Sequence, residues 1–310
     1  MFRYTLRQLD YLVACAEAGS VVAAAARLNV SQPSVSAALS KLEADLGVQL
    51  LLRQHAQGVV PTPDGAPLIQ AARNLLLQAR EFQQAAALAS EEIAGVLQIG
   101  SFHSLAPVYL PALYAALAEA HPRIELRVRE ASQDDLVRDL RQGQIHAALL
   151  YDLDLPEDVA TVPLAAFQPR ILLPADHPLA RRRRIALADL AAEPLILLDI
   201  PPSRDYFTGL LRAAGLTPRI AFRSASLELV RGMVGRGLGY SLLVTRPPGD
   251  TTYDGQPLAI RPLAEEVSPS PVVLGRLASL HPTRALAAFE AVTRDYFRGA
   301  GEVTLRSKDR

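Results

Sequence analysis

Cysteine occurs once in the 310 residues, at position 15. That excludes an internal disulfide and any multi-cysteine metal site. Cys15 falls in the apolar part of the first expected helix and reads as a core residue. An excess of either charge sign is also missing, since 32 lysines and arginines stand against 32 aspartates and glutamates. A nucleic-acid binder usually carries a basic excess that displaces counterions from phosphate, so at first sight neutrality argues against one. The balance holds within segments, with five basic and five acidic residues in 1–65 and two against three in 66–95. It conceals no basic head behind an acidic body. Nor does it exclude DNA binding, because phosphate contacts depend on where a few arginines point. Lysine is nearly absent, at positions 41 and 308 only, a bias of coding base composition.

No stretch approaches the ~18 apolar residues of a membrane helix. The first seven residues, Met1 to Arg7, lack the apolar core of a signal peptide. A cytoplasmic chain with no membrane partner is therefore expected. There is no Gly-rich phosphate loop and no Gly-x-Ser-x-Gly elbow. The histidines at 55, 103, 121, 146, 177 and 281 show no metal-ligand spacing. Asp134 and Asp135 suit the first turn of a helix better than a catalytic pair. The expectation is neither an enzyme nor a holder of a cofactor or metal.

Half of the residues are apolar and 21% are charged, which fits a globular chain of about two domains at ~150 residues each. The first 65 residues read as short helices. Thr5 and Gln8 make a capping-box pattern for a helix over 6–18, ended by Gly19. Ser20 caps a second helix over 21–28. Ser31 caps a third over 32–46, with Pro33 in its first turn and Gly47 at its end. Thr62-Pro63-Asp64 starts a long helix running to about residue 93. In it Leu68, Ala72, Leu75, Ala79, Phe82, Ala86, Ala89 and Ile93 alternate four and three apart, a heptad seam that suits dimerisation. From residue 96 strands and helices alternate. Strands are expected at 96–100, 124–130, 145–151, 194–199, 219–223, 238–244 and 271–276. Helices are expected at 105–121, 134–142, 206–214, 227–235 and 283–297. This βαβ rhythm predicts parallel sheets in two α/β lobes.

The second and third helices, joined by a tight turn, form a helix-turn-helix pattern. On the third, Gln32, Ser34, Ser36 and Ser40 alternate with inward-facing Val35, Leu39 and Leu42. Glutamine and serine at a helix start reach base edges and phosphates in a major groove.

These residues carry a resemblance. Arg7-Gln8-Leu9, Ala24 through Leu28, Ser31-Gln32-Pro33-Ser34-Val35-Ser36, Leu42-Glu43, Leu46-Gly47, Leu50 through Arg53 and Thr62 through Gly65 resemble the LysR-type transcriptional regulators. Leu172 through Ala180 and Val234 through Tyr240 look like segments of that family's effector domain. The resemblance implies an N-terminal all-α winged helix-turn-helix over 1–65 and a dimerising linker helix over 66–95. Beyond them it implies a two-lobed α/β, periplasmic-binding-protein-like effector domain over 96–298. Lobe I would take about 96–166 and 268–298, lobe II about 167–267, and 299–310 would be a loose tail. By the same resemblance Gln32, Pro33, Ser34, Ser36 and Ser40 would face DNA, with Arg27, Lys41 and Arg53 on phosphates. Members often carry arginine where this chain has Ala37-Ala38, which implies a different operator preference.

Implied partners are a pseudo-palindromic double-stranded promoter site, a small-molecule effector, further copies of the chain as a homodimer or homotetramer, and RNA polymerase. Ligands of α/β lobes sit at strand C-termini and helix N-termini. Ser101, Phe102, His103, Ser104, Ser132, Pro202, Ser203, Arg204 and Ser226 satisfy that rule. Hydroxyls and helix-start amides there would suit a small carboxylate or similar polar metabolite. A solute-binding protein for transport is the alternative. The run Arg181 to Arg184 reads as a solvated loop.

Overall fold

Thr5 accepts a hydrogen bond from the Gln8 amide at 3.2 Å, and the Gln8 side chain accepts one from the Thr5 amide at 2.9 Å. This reciprocal cap opens α1 (Leu6–Ala18), which Gly19 ends in a left-handed conformation. The computed structural model describes residues 4–54, 58–87, 93–245 and 247–306, without the side chains of 53–54, 81, 83–87 and 300–306. Ser20 caps α2 (Val21–Arg27). Ser31 caps α3 (Gln32–Leu46), and left-handed Gly47 closes it. The turn between α2 and α3 holds Asn29 at φ 54°. Ala24 and Ala25 are buried, and their small side chains let α2 approach its neighbours closely.

Strands β1 (Leu51–Gln54) and β2 (Gly58–Pro61) pair antiparallel as a wing. Two contacts fix its position. The Glu43 carboxylate on α3 accepts from the amides of Leu50 at 2.8 Å and Leu51 at 3.1 Å. The Val59 amide donates to the Gly19 carbonyl at 2.8 Å. Beside it, Gly58 has φ +90°, and a Cβ there would lie 2.0 Å from the Gly19 oxygen. Gly58→Ala is therefore expected to destabilise the N-terminal unit by at least the ~1–3 kcal/mol of a strained backbone. A thermal melt of the variant matching the parent would contradict this.

Thr62 Oγ1 accepts from the Gly65 amide at 2.8 Å and donates to the Gln49 carbonyl at 2.7 Å, starting α4 (Gly65–Ala87). The helix does not extend to Ile93, which is not helical; Ala89 lies outside the described residues. Leu12, Cys15, Val35, Leu42, Leu50 and Ile69 centre the first hydrophobic core.

The chain divides into two compact units, residues 1–92 with 141–144, and residues 93–140 with 145–310. The second unit opens with β3 (Gly95–Phe102), α5 (Ala106–Ala120), β4 (Ile124–Ala131), α6 (Gln133–Arg141), β5 (Ala147–Tyr151) and β6 (Val159–Phe167). Next come β7 (Arg170–Pro174), β8 (Pro194–Leu198), α7 (Ser203–Ala213), β9 (Arg219–Ser224), α8 (Leu227–Gly235) and β10 (Ser241–Leu243). The last elements are β11 (Leu258–Pro262), β12 (Ser270–Leu277) and α9 (Arg284–Arg306). One sheet has the order β4-β3-β5-β12-β6. The other lobe joins β10-β7-β11 to β8-β9 through a bridge between Leu195 and Tyr240.

The sheets are mixed, not parallel throughout. β3, β4 and β5 are parallel, and so are β8 and β9. β12, however, runs antiparallel to β5 and β6, and β7 antiparallel to β10 and β11. β6, β7 and β11 were not expected. β6 carries Pro163, which a sheet edge tolerates, and its register with β12 shifts between Val272 and Val273. α9 continues past Phe297 to Arg306, so the tail expected to be loose from 299 is helical up to that point. Glycines 299 and 301 weaken a helix without forbidding it.

The His146 ring accepts a hydrogen bond at Nδ1 from the Gln98 amide at 3.0 Å, and burial holds its pKa below the usual 6.5. The folded state thus favours the neutral ring. Its stabilising contribution is complete above the unfolded pKa and is lost as pH falls from there toward the depressed folded value. The melting temperature is expected to drop between pH 7 and 5.5, and His146→Gln to flatten that drop. An identical pH slope in the variant would contradict the assignment.

Candidate functional site

On α3, Val35, Leu39 and Leu42 face the core, while Gln32, Pro33, Ser34, Ser40 and Lys41 are exposed and Ser36 is half-buried. One face is thus anchored by the helical spacing i, i+4, i+7, and the opposite face presents short polar side chains to solvent. The Ser34 hydroxyl hydrogen-bonds the Ser31 hydroxyl at 2.7 Å, so Ser34 also belongs to the cap. Arg27 is not an unengaged phosphate ligand: its guanidinium pairs with Glu17 at 2.9 Å. Arg53 stands in β1 opposite Val59, its side chain outside the described residues.

α4 has two apolar faces. Ile69, Ala72 and Leu76 are buried in the first core. Leu68, Leu75 and Phe82 are exposed by 39%, 40% and 75%. Those three are seven residues apart, so they form one stripe. The expected seam is corrected at Ala72, which faces its own domain, only 3% exposed. Ala79 is half-buried. The Ala86 side chain lies outside the described residues.

In the second unit a small pocket of about 10 Å³, room for about one water, lies where the lobes meet. Ser104 and Tyr151 line it from one lobe; Leu198, Ser203, Phe207, Leu227, Leu243, Val244 and Thr245 line it from the other. The Tyr151 hydroxyl shares a hydrogen bond with the Ser104 hydroxyl at 3.1 Å and another with the Thr245 hydroxyl. Burial pushes the phenol pKa up, so the ring stays neutral. Phe102 packs edge-on against Tyr151, with ring centroids 5.4 Å apart.

Of the nine residues expected at the effector site, only Ser104 and Ser203 line this pocket. Ser101 is buried with its hydroxyl on the Phe102 carbonyl at 3.4 Å, and Phe102 is core. Ser132 caps α6, accepting from the Asp135 amide at 3.2 Å and donating to its carboxylate at 2.7 Å. Ser226 is an exposed cap of α8. Pro202 is buried at the α7 start, after a cis bond from Pro201. His103 and Arg204 do not pair with each other. His103 contacts Glu130 at 3.2 Å. Arg204 contacts Asp205 at 2.9 Å and Asp199 at 3.6 Å. Tyr151 and Thr245 were missed. The strand-end rule points to Tyr151, the last residue of β5.

Two family models match. Residues 6–66 fit the bacterial regulatory helix-turn-helix protein of the lysR family, and residues 90–298 fit the LysR substrate binding domain. The chain belongs to the LysR family of transcriptional regulators. The DNA-binding transcriptional dual regulator OxyR of Escherichia coli K12 is 35% identical over 239 residues, 77% of this chain and 78% of that protein. Among solved structures, HinK, a LysR family transcriptional regulator from Pseudomonas aeruginosa, is 43% identical with a TM-score of 0.65, covering 95% of this chain and 98% of that one. Full-length OxyR C199D from Pseudomonas aeruginosa is 29% identical with a TM-score of 0.74, covering 94% and 97%.

As a LysR regulator the chain binds DNA, carries an effector-binding domain and oligomerises. The solute-transport alternative finds no support, since both matched models are LysR models. Among the described residues no single helix is long and apolar enough to cross a membrane. In this LysR chain Glu43 ties the wing base to α3. Glu43→Ala leaves the buried amides of Leu50 and Leu51 without their acceptor. It is expected to cost the DNA-binding domain about 1–3 kcal/mol, read as a lowered melting temperature that Glu43→Gln partly restores. A Glu43→Ala protein as stable as the parent would contradict the tie.

Proposed function

We propose that this LysR regulator binds a pseudo-palindromic promoter site in the cytoplasm as a dimer of dimers. Gln32, Pro33, Ser34, Ser36 and Ser40 face the major groove, and Lys41 and Arg53 meet phosphates. The stripe Leu68, Leu75 and Phe82 pairs two chains. A small molecule held between the lobes by Ser104, Tyr151, Ser203 and Thr245 controls promoter binding or activation, and RNA polymerase is the downstream partner. The chain acts as a sensor, not as a catalyst. The observation that carries this reading is the convergence of hydroxyls from both lobes on one pocket. A ligand that binds there must bind the two lobe arrangements unequally to shift their populations.

Several relatives bear the name hydrogen peroxide-inducible genes activator. A peroxide signal is read by oxidation of a reactive, accessible thiolate. Residues 16–310 contain no cysteine, and Cys15 is buried in the DNA-binding domain. We infer that the trigger here is reversible ligand binding and not thiol oxidation.

A small-molecule thermal-shift screen tests the pocket, because a ligand of the folded state raises apparent stability. Thr245→Phe fills the pocket and is expected to abolish the shift produced by any hit. A hit that stabilises Thr245→Phe as well as the parent would contradict the site.

A further inference from the structure

We propose that the effector is an uncharged molecule, a compact and mostly apolar skeleton carrying one or two hydrogen-bonding groups. The proposal rests on the reading of the inter-lobe pocket as the effector site and narrows its ligand class. It departs from the carboxylate that hydroxyls and helix starts suggest from sequence.

Among the described residues that line the pocket, five are apolar (Leu198, Phe207, Leu227, Leu243, Val244), four carry hydroxyls, and none carries a charge. The two described cations expected at this site are already engaged. Arg204 is held by Asp205 and Asp199, and His103 by Glu130. Among the described residues, an ion entering the pocket would find no counter-charge to replace the hydration it loses, which disfavours an ion there.

Two helix starts partly offset that penalty for a negative group. α5 begins after Leu105 and α7 after Pro202, and neither has a side-chain cap. Each terminus acts as about half a positive charge. That falls short of the cost of burying a carboxylate, yet it suits the partial negative charge of a carbonyl, amide or ether oxygen. The hydroxyls match the same groups, since each both donates and accepts. Volume adds a size limit: the pocket as it stands, about 10 Å³, holds about one water, so only a compact ligand suits it, and its entry parts the lobes.

The geometry also supplies a mode of action. The Tyr151 hydroxyl bonds Ser104 within its own lobe and Thr245 of the other lobe. An oxygen or amide on the ligand takes the place of one of these partners. Occupancy thereby exchanges a direct lobe-to-lobe hydrogen bond for one that runs through the ligand.

The test uses the purified full-length protein and matched probes on one skeleton: benzamide, benzoate and benzylamine, and isovaleramide, isovalerate and isopentylamine. Melting temperature is read against probe concentration. The uncharged amide of at least one set is expected to give a saturable rise that its charged partners do not give at equal concentration. The isosteric Thr245→Val and the small change Ser104→Ala are each expected to weaken that binding about tenfold, with the ligand-free proteins still melting cooperatively. A larger shift with a carboxylate or an ammonium overturns the uncharged class, as does the absence of a saturable shift with either amide. Arg246 follows Thr245 in the sequence and lies outside the described residues. A carboxylate shift lost in Arg246→Gln would therefore name the counter-charge that defeats the proposal. If Thr245→Phe abolishes a carboxylate's shift, the pocket stands as the effector site and only the ligand class falls. A shift of any probe that survives Thr245→Phe removes the site as well.

Discussion

The double change Leu75→Glu and Phe82→Glu is expected to turn the oligomer into single chains at micromolar concentration. Both residues lie on the exposed stripe of α4, while Ile69, Ala72 and Leu76 hold the other face of the helix in its own domain. Removing a Leu or Phe side chain from water contributes about 1.5–3 kcal/mol. A two-fold interface counts each residue twice. The substitution removes that burial and sets like charges face to face, so the dimer dissociation constant should rise by well over ~100-fold. Light scattering coupled to gel filtration reads the mass directly. The N-terminal fold should persist, because the buried face is untouched. An unchanged mass for a folded variant would place the dimer contact elsewhere.

Gln32→Ala combined with Ser34→Ala is expected to remove operator recognition. Both side chains are exposed at the start of α3, and neither fills the core. A good base contact contributes about 1–3 kcal/mol, so losing two in each of two heads weakens specific binding by at least roughly 100-fold. Nonspecific binding should be retained, because phosphate contacts carry it. Folding should suffer little, since only the hydrogen bond between Ser34 and Ser31 is lost at the cap. The near-neutral head makes a linked prediction. With about 3–4 phosphate contacts at about −0.9 each, log affinity should fall against log salt with a slope of roughly −2.7 to −3.6 per head. A much steeper slope would point to further contacts, first at Arg181 to Arg184, all of which are exposed.

Helix starts were legible from the sequence because a cap is a local device. Thr5 with Gln8, Ser20, Ser31 and Thr62 each satisfy an amide three residues on. The parallel units were legible because each βαβ crossover is contiguous in the chain. What escaped depends on distant partners. β7 is short and pairs with β10 and β11, which follow some 70 to 90 residues later. The N-terminal site was legible for a similar reason, since one helix carries both its anchor residues and its polar face. The pocket was only half legible. Ser104 and Ser203 follow from the strand-end rule, but the same rule selects Ser132 and Ser226, which the helix caps consume. Tyr151 ends the strand expected at 145–151 and so fits the rule without being singled out by it, and Thr245 meets it across 94 positions of sequence.

Capture of genomic DNA fragments by the purified full-length protein, followed by sequencing, tests the central claim most directly. The account predicts a shared motif with two related halves about one helical turn apart. It also predicts that the Gln32→Ala and Ser34→Ala protein, equally folded, fails to enrich that motif. Enrichment of the same motif by the variant to the same extent would contradict the assignment of α3 as the element that reads DNA.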